Sequence, residues 1–466
     1  MKDISSTGSF INFYLNNYIY VDKTKYIRDL IKLERVFISR PRRFGKSLTL
    51  DTIATLFETG VEPYFKGTWI YDKWTEPTYP VLRLNFLDLD KYSLEHFKQK
   101  LNAIISSFAR DINVKNYEEK VEPEDTIYFL LDELRKEKRQ IVILIDEYDC
   151  QMTANINNET LYKQFQEKIK SFYATIKNKW AIKFLGITGV TRLKDVEIFS
   201  IGSDIKDITN YSPYSQMIGF TRDEIKKYYI DYLKLAASCE NNCSVDKVTE
   251  AQIESLLDRL AKNYDGYCFD EDYEKKVFST WSVNTFLQSV VDKKKVQFGE
   301  YWYDNGGLPS ILVNYLKTHE LNIFEYLDKD KFLKVSSDDF KNPTALTTIN
   351  QNVLMCQTGY LTLRSDLNKT STVALGIPNG EIYKALNRLL ANNIFKGNTD
   401  ITDDYGRSLL EVGTVDDIIN LFNSALNSVS YDNYPIVSES SVQNMLKLYL
   451  LGAHQKVLSE VHEAKG

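Results

Sequence analysis

Two short stretches constrain this chain more than anything else in it: "FISRPRRFGKSLTL", Phe37 to Leu50, and "IVILIDEYD", Ile141 to Asp149. In the first, the apolar run Val36 to Ser39 reads as a buried strand. It gives way to Gly45-Lys46-Ser47 and then to a helical pattern from Leu48 to Phe57. Strand, turn and helix in that order suit a phosphate-binding loop, because backbone N–H groups and the positive end of the helix dipole converge on anionic oxygens. Gly45 lets the backbone come close, Lys46 reaches terminal phosphates, and the Ser47 hydroxyl suits magnesium. In the second stretch, Gln140 to Ile145 is a continuous apolar run, the mark of a strand covered on both faces. It ends in Asp146, placed to hold magnesium through water, and Glu147, placed to orient an attacking water. Either motif alone is common. Both in order, about a hundred residues apart, point to nucleotide binding.

The segments between them fit the same fold. Val81 to Phe86 is a second strand, and Leu94 to Phe108 carries the apolar stripe of a helix. Leu161 to Ile176 is helical, Ile182 to Thr188 is another buried strand, and Gln216 to Phe220 reads as a short fifth. Alternating strands and helices predict a P-loop-type α/β domain with a doubly wound parallel sheet over residues 1–225. In the ATPase division with a catalytic glutamate, "IKFLGITG" would lie between the loop strand and the acidic strand. Thr188 at its end is then either a sensor of the γ-phosphate or an ordinary strand-end hydroxyl. Arg192 is either a stabiliser of phosphate charge or half of a surface ion pair.

Arg40 stands where the first glycine of a standard loop is expected. An arginine there excludes some backbone angles, and Pro41 and its neighbours must supply a different turn. Arg40, Arg42 and Arg43 repel one another unless a polyphosphate or the acidic pair relieves them, or unless all three point into water. The expected nucleotide contacts are therefore Arg40, Pro41, Arg42, Arg43, Phe44, Gly45, Lys46, Ser47 and Leu48, with Thr188. The expected catalytic groups are Lys46, Glu147 and Arg192, and the expected magnesium ligands are Ser47 and Asp146.

Beyond residue 225 the pattern becomes mainly helical. Residues 226–345 read as a lid-like region. In residues 346–412 a hairpin around Leu367-Asn368-Lys369, flanked by helices, suggests a winged-helix-like unit. Residues 413–466 hold a helix, a break near Tyr434-Pro435, a second helix from Ser440 to Leu451, and a strand-like Lys456 to Val461. With 466 residues, the chain exceeds one ordinary core. Its net charge of −6, with both signs interspersed, makes it no general magnet for nucleic acid or anionic lipid. Five scattered cysteines suit a reducing compartment better than a disulfide framework, and Cys239 and Cys243 lack the second pair a zinc site needs. No apolar run approaches the roughly 20 residues that span a bilayer, and no signal-peptide core is present, so a cytoplasmic location is expected.

Eight spaced blocks carry a resemblance: "YIYVDKTKYIRDLI", "RPRRFGKSLTLD", "ILIDEYD", "ITGVTRLKDVEIFS", "IGFTRDEI", "YDGYCF", "QTGYLTL" and "LGIPNGEI". In that order they resemble the bacterial AAA-ATPase-like family over almost the whole chain. The resemblance implies that "RPRRFGKS" is the usual phosphate loop there, so that Arg40 is a family variant rather than damage. It implies ATP and Mg2+ as cofactors, with Lys46, Ser47, Asp146 and Glu147 in the roles above. The shared Asp22-Lys23-Thr24 block is read as structural. Family members commonly end in a PD-(D/E)xK nuclease-like domain, whose opening helix and first strand "YDNYPIVSESSVQNMLKLYLLG" and "QKVLSEVHEAKG" resemble. Glu439 alone cannot supply that chemistry, so no nuclease activity is expected from these residues. The expected activity is a magnesium-dependent ATPase whose nucleotide state repositions its helical C-terminal parts. The alternatives are a nucleotide-gated switch with little turnover, recruiting a protein partner or nucleic acid through the C-terminal region, and a small-molecule kinase.

Overall fold

Strands with no polar face build the centre of the molecule. The computed structural model describes residues 1–193, 204–302, 310–316, 319, 323–343, 345–369, 371–395, 409–430, 434–453, 455 and 457. β1 (Arg35–Ser39) is buried throughout, and β3 (Ile141–Asp146) is buried except at its acidic end, as strands sandwiched between helices must be. With β2 (Val81–Asn85), β4 (Ile182–Gly189) and β5 (Lys206–Asp207) they form a parallel sheet in the order β2-β3-β4-β1-β5. β4 does lie between the loop strand and the acidic strand. Its register sets Ile38 beside Thr188 and Ile145 beside Ile187. The carboxyl ends of three strands therefore open onto one edge, where ligands bind in doubly wound sheets.

The expected strand Gln216 to Phe220 is not one. After the turn Ser212–Tyr214, only Phe220 pairs, in an isolated antiparallel bridge with Phe278. The fifth strand is instead the two-residue β5, too short for a periodic pattern. Helices flank the sheet: Lys46–Thr59, Leu94–Asp111, Pro123–Lys136 and Glu159–Ile176.

A second apolar core gathers Leu233, Leu256, Leu260, Phe286 and Leu287 from the helices Ile230–Asn241, Glu250–Tyr264 and Thr280–Lys293. Ile19 and Val21, near the start of the chain, belong to this core and not to the sheet's. The helices Arg222–Tyr228 and Glu250–Tyr264 open on reciprocal capping boxes, Thr221 with Glu224 and Thr249 with Gln252.

The third part is an antiparallel sheet in the order β6-β8-β7, with β6 (Leu333–Ser336), β7 (Thr362–Leu363) and β8 (Thr372–Gly376). The helices Gln351–Thr358 and Gly380–Ile394 bracket the β7–β8 hairpin. β6 lies upstream of residue 346, so the expected boundary there cuts through this sheet. The helix Glu439–Gly452 buries Tyr449 against Phe395 and Phe422, at centroid distances of 5.6 and 5.9 Å. The strand-like stretch expected after it falls largely outside the described residues. Among the described residues, no helix is long and apolar enough to cross a membrane.

Candidate functional site

The loop between β1 and the Lys46–Thr59 helix reaches its shape through two left-handed residues, Arg43 at φ +70° and Gly45 at φ +103°. A Cβ at Gly45 would meet nothing within 4 Å, so the glycine is required by backbone angle rather than by crowding. The turn delivers the helix N-terminus to the carboxyl edge of the sheet. Lys46 is buried and folds back over the loop. Its Nζ donates to the carbonyls of Arg40 (3.0 Å) and Pro41 (3.2 Å) and lies 3.7 Å from Glu147 Oε1.

Asp146, at the tip of β3, collects three donors. Ser47 Oγ donates to its Oδ2 at 2.6 Å, and Thr188 Oγ1 and the Glu147 N–H donate to its Oδ1 at 2.5 and 2.9 Å. Ser47, Asp146 and Thr188, which come from three elements, thus meet at one carboxylate. Glu147 has φ +50°, a conformation that a residue with a Cβ adopts rarely and at a cost of about 1–3 kcal/mol. Its burial raises its carboxyl above the usual range. The nearby Lys46 charge opposes the shift, and the neighbouring acids Asp149 and Asp146 add to it.

The third acid has a different task. Asp149 is 1% exposed and accepts from the Thr191 N–H (2.7 Å) and Thr191 Oγ1 (2.5 Å). It stitches the end of β3 to the end of β4. Gly189 leaves room for this, since a Cβ there would sit 2.4 Å from Tyr148 Cδ1.

A cavity of about 490 Å³ opens above the loop. Arg42 to Thr49 and Glu147 line one side. Tyr20 and Val21 of the N-terminal segment, Phe220, Trp281 and Asn284 line the other. Of the expected site residues, Arg40, Pro41, Asp146, Thr188 and Arg192 are not among those that line it. Arg40 is 1% exposed, and its guanidinium turns behind the loop, donating to the carbonyls of Ser39 (2.9 Å) and Thr209 (2.6 Å) and lying 4.1 Å from the centroid of Phe269. Arg192 pairs with Asp207 of β5 and, with Arg40, lines a separate cavity of about 40 Å³. In this structure both arginines support the loop, Arg40 in place of the expected phosphate contact and Arg192 through the ion pair that was its alternative: each is held by groups on the far side of β1.

Sequence reasoning also missed that the C-terminal parts grip the loop. Trp302 Nε1 donates to the Arg42 carbonyl (3.2 Å) and Thr280 Oγ1 to the Arg43 carbonyl (2.8 Å). The Arg43 guanidinium stacks 4.2 Å from Trp281, and Phe44 packs edge-on against Tyr267 and Phe269. Gln357 exchanges two hydrogen bonds with the Arg192 backbone, at 3.2 and 3.3 Å. These partners lie more than two hundred residues from the loop, or come from side chains with no motif of their own, so only the fold brings them into view. The Asp22-Lys23-Thr24 block is tied into its surroundings by hydrogen bonds. Asp22 accepts from Thr24 and from the Trp69 N–H, and Lys23 Nζ donates to Glu224 (2.6 Å) and to the Gln216 carbonyl (2.8 Å).

Residues 5–199 match a family model described as "AAA-ATPase_like: Predicted AAA-ATPase". This part of the chain is similar to that family. The matched residues contain the loop, the acidic strand and Thr188, while the gripping residues Thr280, Trp302 and Gln357 lie outside them. A relative from Azotobacter chroococcum mcd 1, called "Uncharacterized protein in vnfD 5'region", is 27% identical over 432 residues, covering 90% of this chain and 76% of its own length. Two solved structures are similar at low scores. Cdc6p from Pyrobaculum aerophilum matches at 11% identity and a TM-score of 0.25, covering 78% of this chain and 92% of its own. The Aeropyrum pernix Orc1 protein, in complex with DNA, matches at 10% identity and a TM-score of 0.31, covering 82% and 97%.

Proposed function

We propose that this chain is a magnesium-dependent ATPase in which nucleotide occupancy of the loop is coupled to the seating of the helical and C-terminal parts. The observation that carries the reading is the 2.6 Å hydrogen bond from Ser47 Oγ to Asp146 Oδ2. A hydroxyl and a carboxylate brought together from two elements, at the mouth of a loop that also carries Lys46, form the hard oxygen pair that Mg2+ takes. The residues fit the ion: Ser47 and Asp146 would hold it, and it would supply charge neutralisation for the terminal phosphates. Lys46 would exchange its loop carbonyls for phosphate oxygens, and Thr188 orients Asp146. Glu147 sits where it can accept a proton from a water held above the loop. Coupling follows from the loop carbonyls of Arg42 and Arg43, which are bonded to Trp302 and Thr280.

A second reading, a nucleotide-gated switch with little turnover, draws on one observation: burial favours the neutral form of Glu147, and a neutral carboxyl cannot take a proton. Thermal shifts with ATP and ADP, with and without Mg2+, combined with multiple-turnover phosphate release, separate the two. The ATPase reading expects magnesium-dependent release that falls to background in both Lys46→Ala and Glu147→Gln, with the ATP shift lost only in the first. A parent chain that is stabilised by ATP yet releases no phosphate supports the switch. No shift with any nucleotide ends both readings.

A further inference from the structure

Four cationic side chains line the cavity above the loop: Lys23, Arg42, Arg43 and Lys46. Lys23 is committed to Glu224 and the Gln216 carbonyl. Lys46 is the expected partner of the terminal phosphates. Arg43 is exposed and its guanidinium lies over the Trp281 ring. Arg42 differs from all three. It is half-buried, it reaches Glu147 and Cys150 electrostatically, and among the described residues its head group makes no hydrogen bond or ion pair. Its backbone, by contrast, is fixed. The Arg42 carbonyl accepts from the Trp302 indole, and Trp302 is fully buried with its own N–H donated to Glu381 at 2.8 Å. A cation whose main chain is fixed, and whose N–H donors have no partner among the described residues, is available beside this glutamate to an anion that appears between them.

We propose that Arg42 is the residue that stabilises the charge developing on the transferred phosphoryl group, supplied in cis from the loop itself, with Trp302 as its positioning residue. The proposal rests on the ATPase reading above. In the step it serves, the oxygen of water forms a bond to the γ-phosphorus while the bond from that phosphorus to the bridging oxygen breaks. The electron pair of the broken bond leaves on ADP, and the water's proton passes to the Glu147 carboxylate. Negative charge grows on the phosphoryl oxygens and the leaving oxygen, and a guanidinium offers them paired N–H donors. Arg192, the other arginine near the end of β4, is paired with Asp207 and lines the small cavity behind the loop, so it does not compete for this task.

The test compares the full chain with Arg42→Ala and Arg42→Lys. Because the Arg42 head group makes no hydrogen bond or ion pair among the described residues, both variants should keep the parental Tm. Arg42→Ala should lower kcat about 10²- to 10³-fold, as loss of a preorganised charge-stabilising donor does, with ATP affinity changed far less. Arg42→Lys should recover only part of the rate, since a point charge does not replace a bidentate fork. The parent should bind ADP with aluminium fluoride more tightly than ADP alone, and Arg42→Ala should lose that preference. Turnover at the parental rate in Arg42→Ala overturns the proposal and leaves the ATPase reading standing. So does a loss of kcat/KM that appears entirely as weaker ATP binding. A parent that binds ATP without turning it over removes the ATPase reading first, and this proposal with it.

Discussion

The Arg40 guanidinium lies 4.1 Å from the centroid of the Phe269 ring, in a compartment behind the phosphate loop rather than in front of it. Two of its N–H groups are spent on the carbonyls of Ser39 and Thr209, and Asp207 supplies the nearest opposing charge. Burial lowers its pKa to about 9, so the group stays charged at neutral pH. The residue that replaces the usual glycine therefore ties the loop to the segment after β5 and to the aromatic pair Tyr267 and Phe269. Arg40→Gly restores the common loop residue but leaves a void and two unpaired carbonyls. It should destabilise the chain by about 2–4 kcal/mol without strengthening ATP binding. Urea denaturation and ATP titration of this variant check both halves. Parental stability, or tighter ATP binding, would show that the arginine is dispensable.

Gly359 meets the loop from the other side. It has φ +95°, and a Cβ there would fall 2.9 Å from Pro41 Cβ and 3.4 Å from the Trp302 ring. Gly359→Ala combines a disfavoured backbone angle with a clash against the loop. We expect a loss of about 1–3 kcal/mol in stability together with weaker ATP binding, although the residue lies outside the cavity lining. Isothermal titration with ATP distinguishes this from a purely structural effect. An unchanged affinity would mean that the loop does not feel its C-terminal support.

The parts of this architecture that were legible in the sequence are those whose physics is local. A buried strand shows as an apolar run, as at Ile141 to Ile145, and a phosphate loop shows as glycine before lysine, because one helix N-terminus does the work. The helix Pro123–Lys136 is equally legible, since Ile127, Leu130, Leu131 and Leu134 mark its buried face at spacings of three and four behind a proline at its first turn. β5 was not legible, because two residues have no period. Neither were the directions of Arg40 and Arg192. Which way a long cationic side chain turns depends on partners such as Asp207, Phe269 and Thr209, which only the folded chain brings near. The acid run showed the same limit: Asp146, Glu147 and Asp149 look alike in sequence, and their tasks separate by what each one meets.

That separation makes a paired prediction. Asp149 is buried and satisfies the Thr191 N–H and hydroxyl, so Asp149→Ala should cost about 3 kcal/mol or more, by stranding those donors and freeing the end of β4. Asp146 begins the same turn, with Ser47 and Thr188 as donors. Asp146→Asn should keep most of the stability but abolish the additional thermal shift that Mg2+ gives in the presence of ATP. Thermal unfolding of the two variants, with and without ATP and Mg2+, reads both effects. If Asp149→Ala proves as stable as the parent, or if Asp146→Asn retains the magnesium-dependent shift, these roles are misassigned.

The burial of Glu147 has a pH signature whose direction is fixed. Desolvation raises its carboxyl pKa in the folded chain above the unfolded value, with Lys46 partly opposing. The neutral form is thus the one the fold prefers. The stabilising contribution is complete below the unfolded pKa near 4.5 and is lost as pH rises through the folded value. Glu147→Gln, which is neutral at every pH, should therefore gain Tm relative to the parent at pH 8 and show less advantage at pH 5. For turnover the same shift acts the other way, since the group must be a carboxylate to accept a proton. The acid limb of kcat/KM, which reports the free protein, should lie above the ordinary glutamate range. A limb at the usual carboxylate position, or a Glu147→Gln Tm advantage that does not grow with pH, would show that this side chain is solvated in solution and that its left-handed backbone serves something other than a buried base.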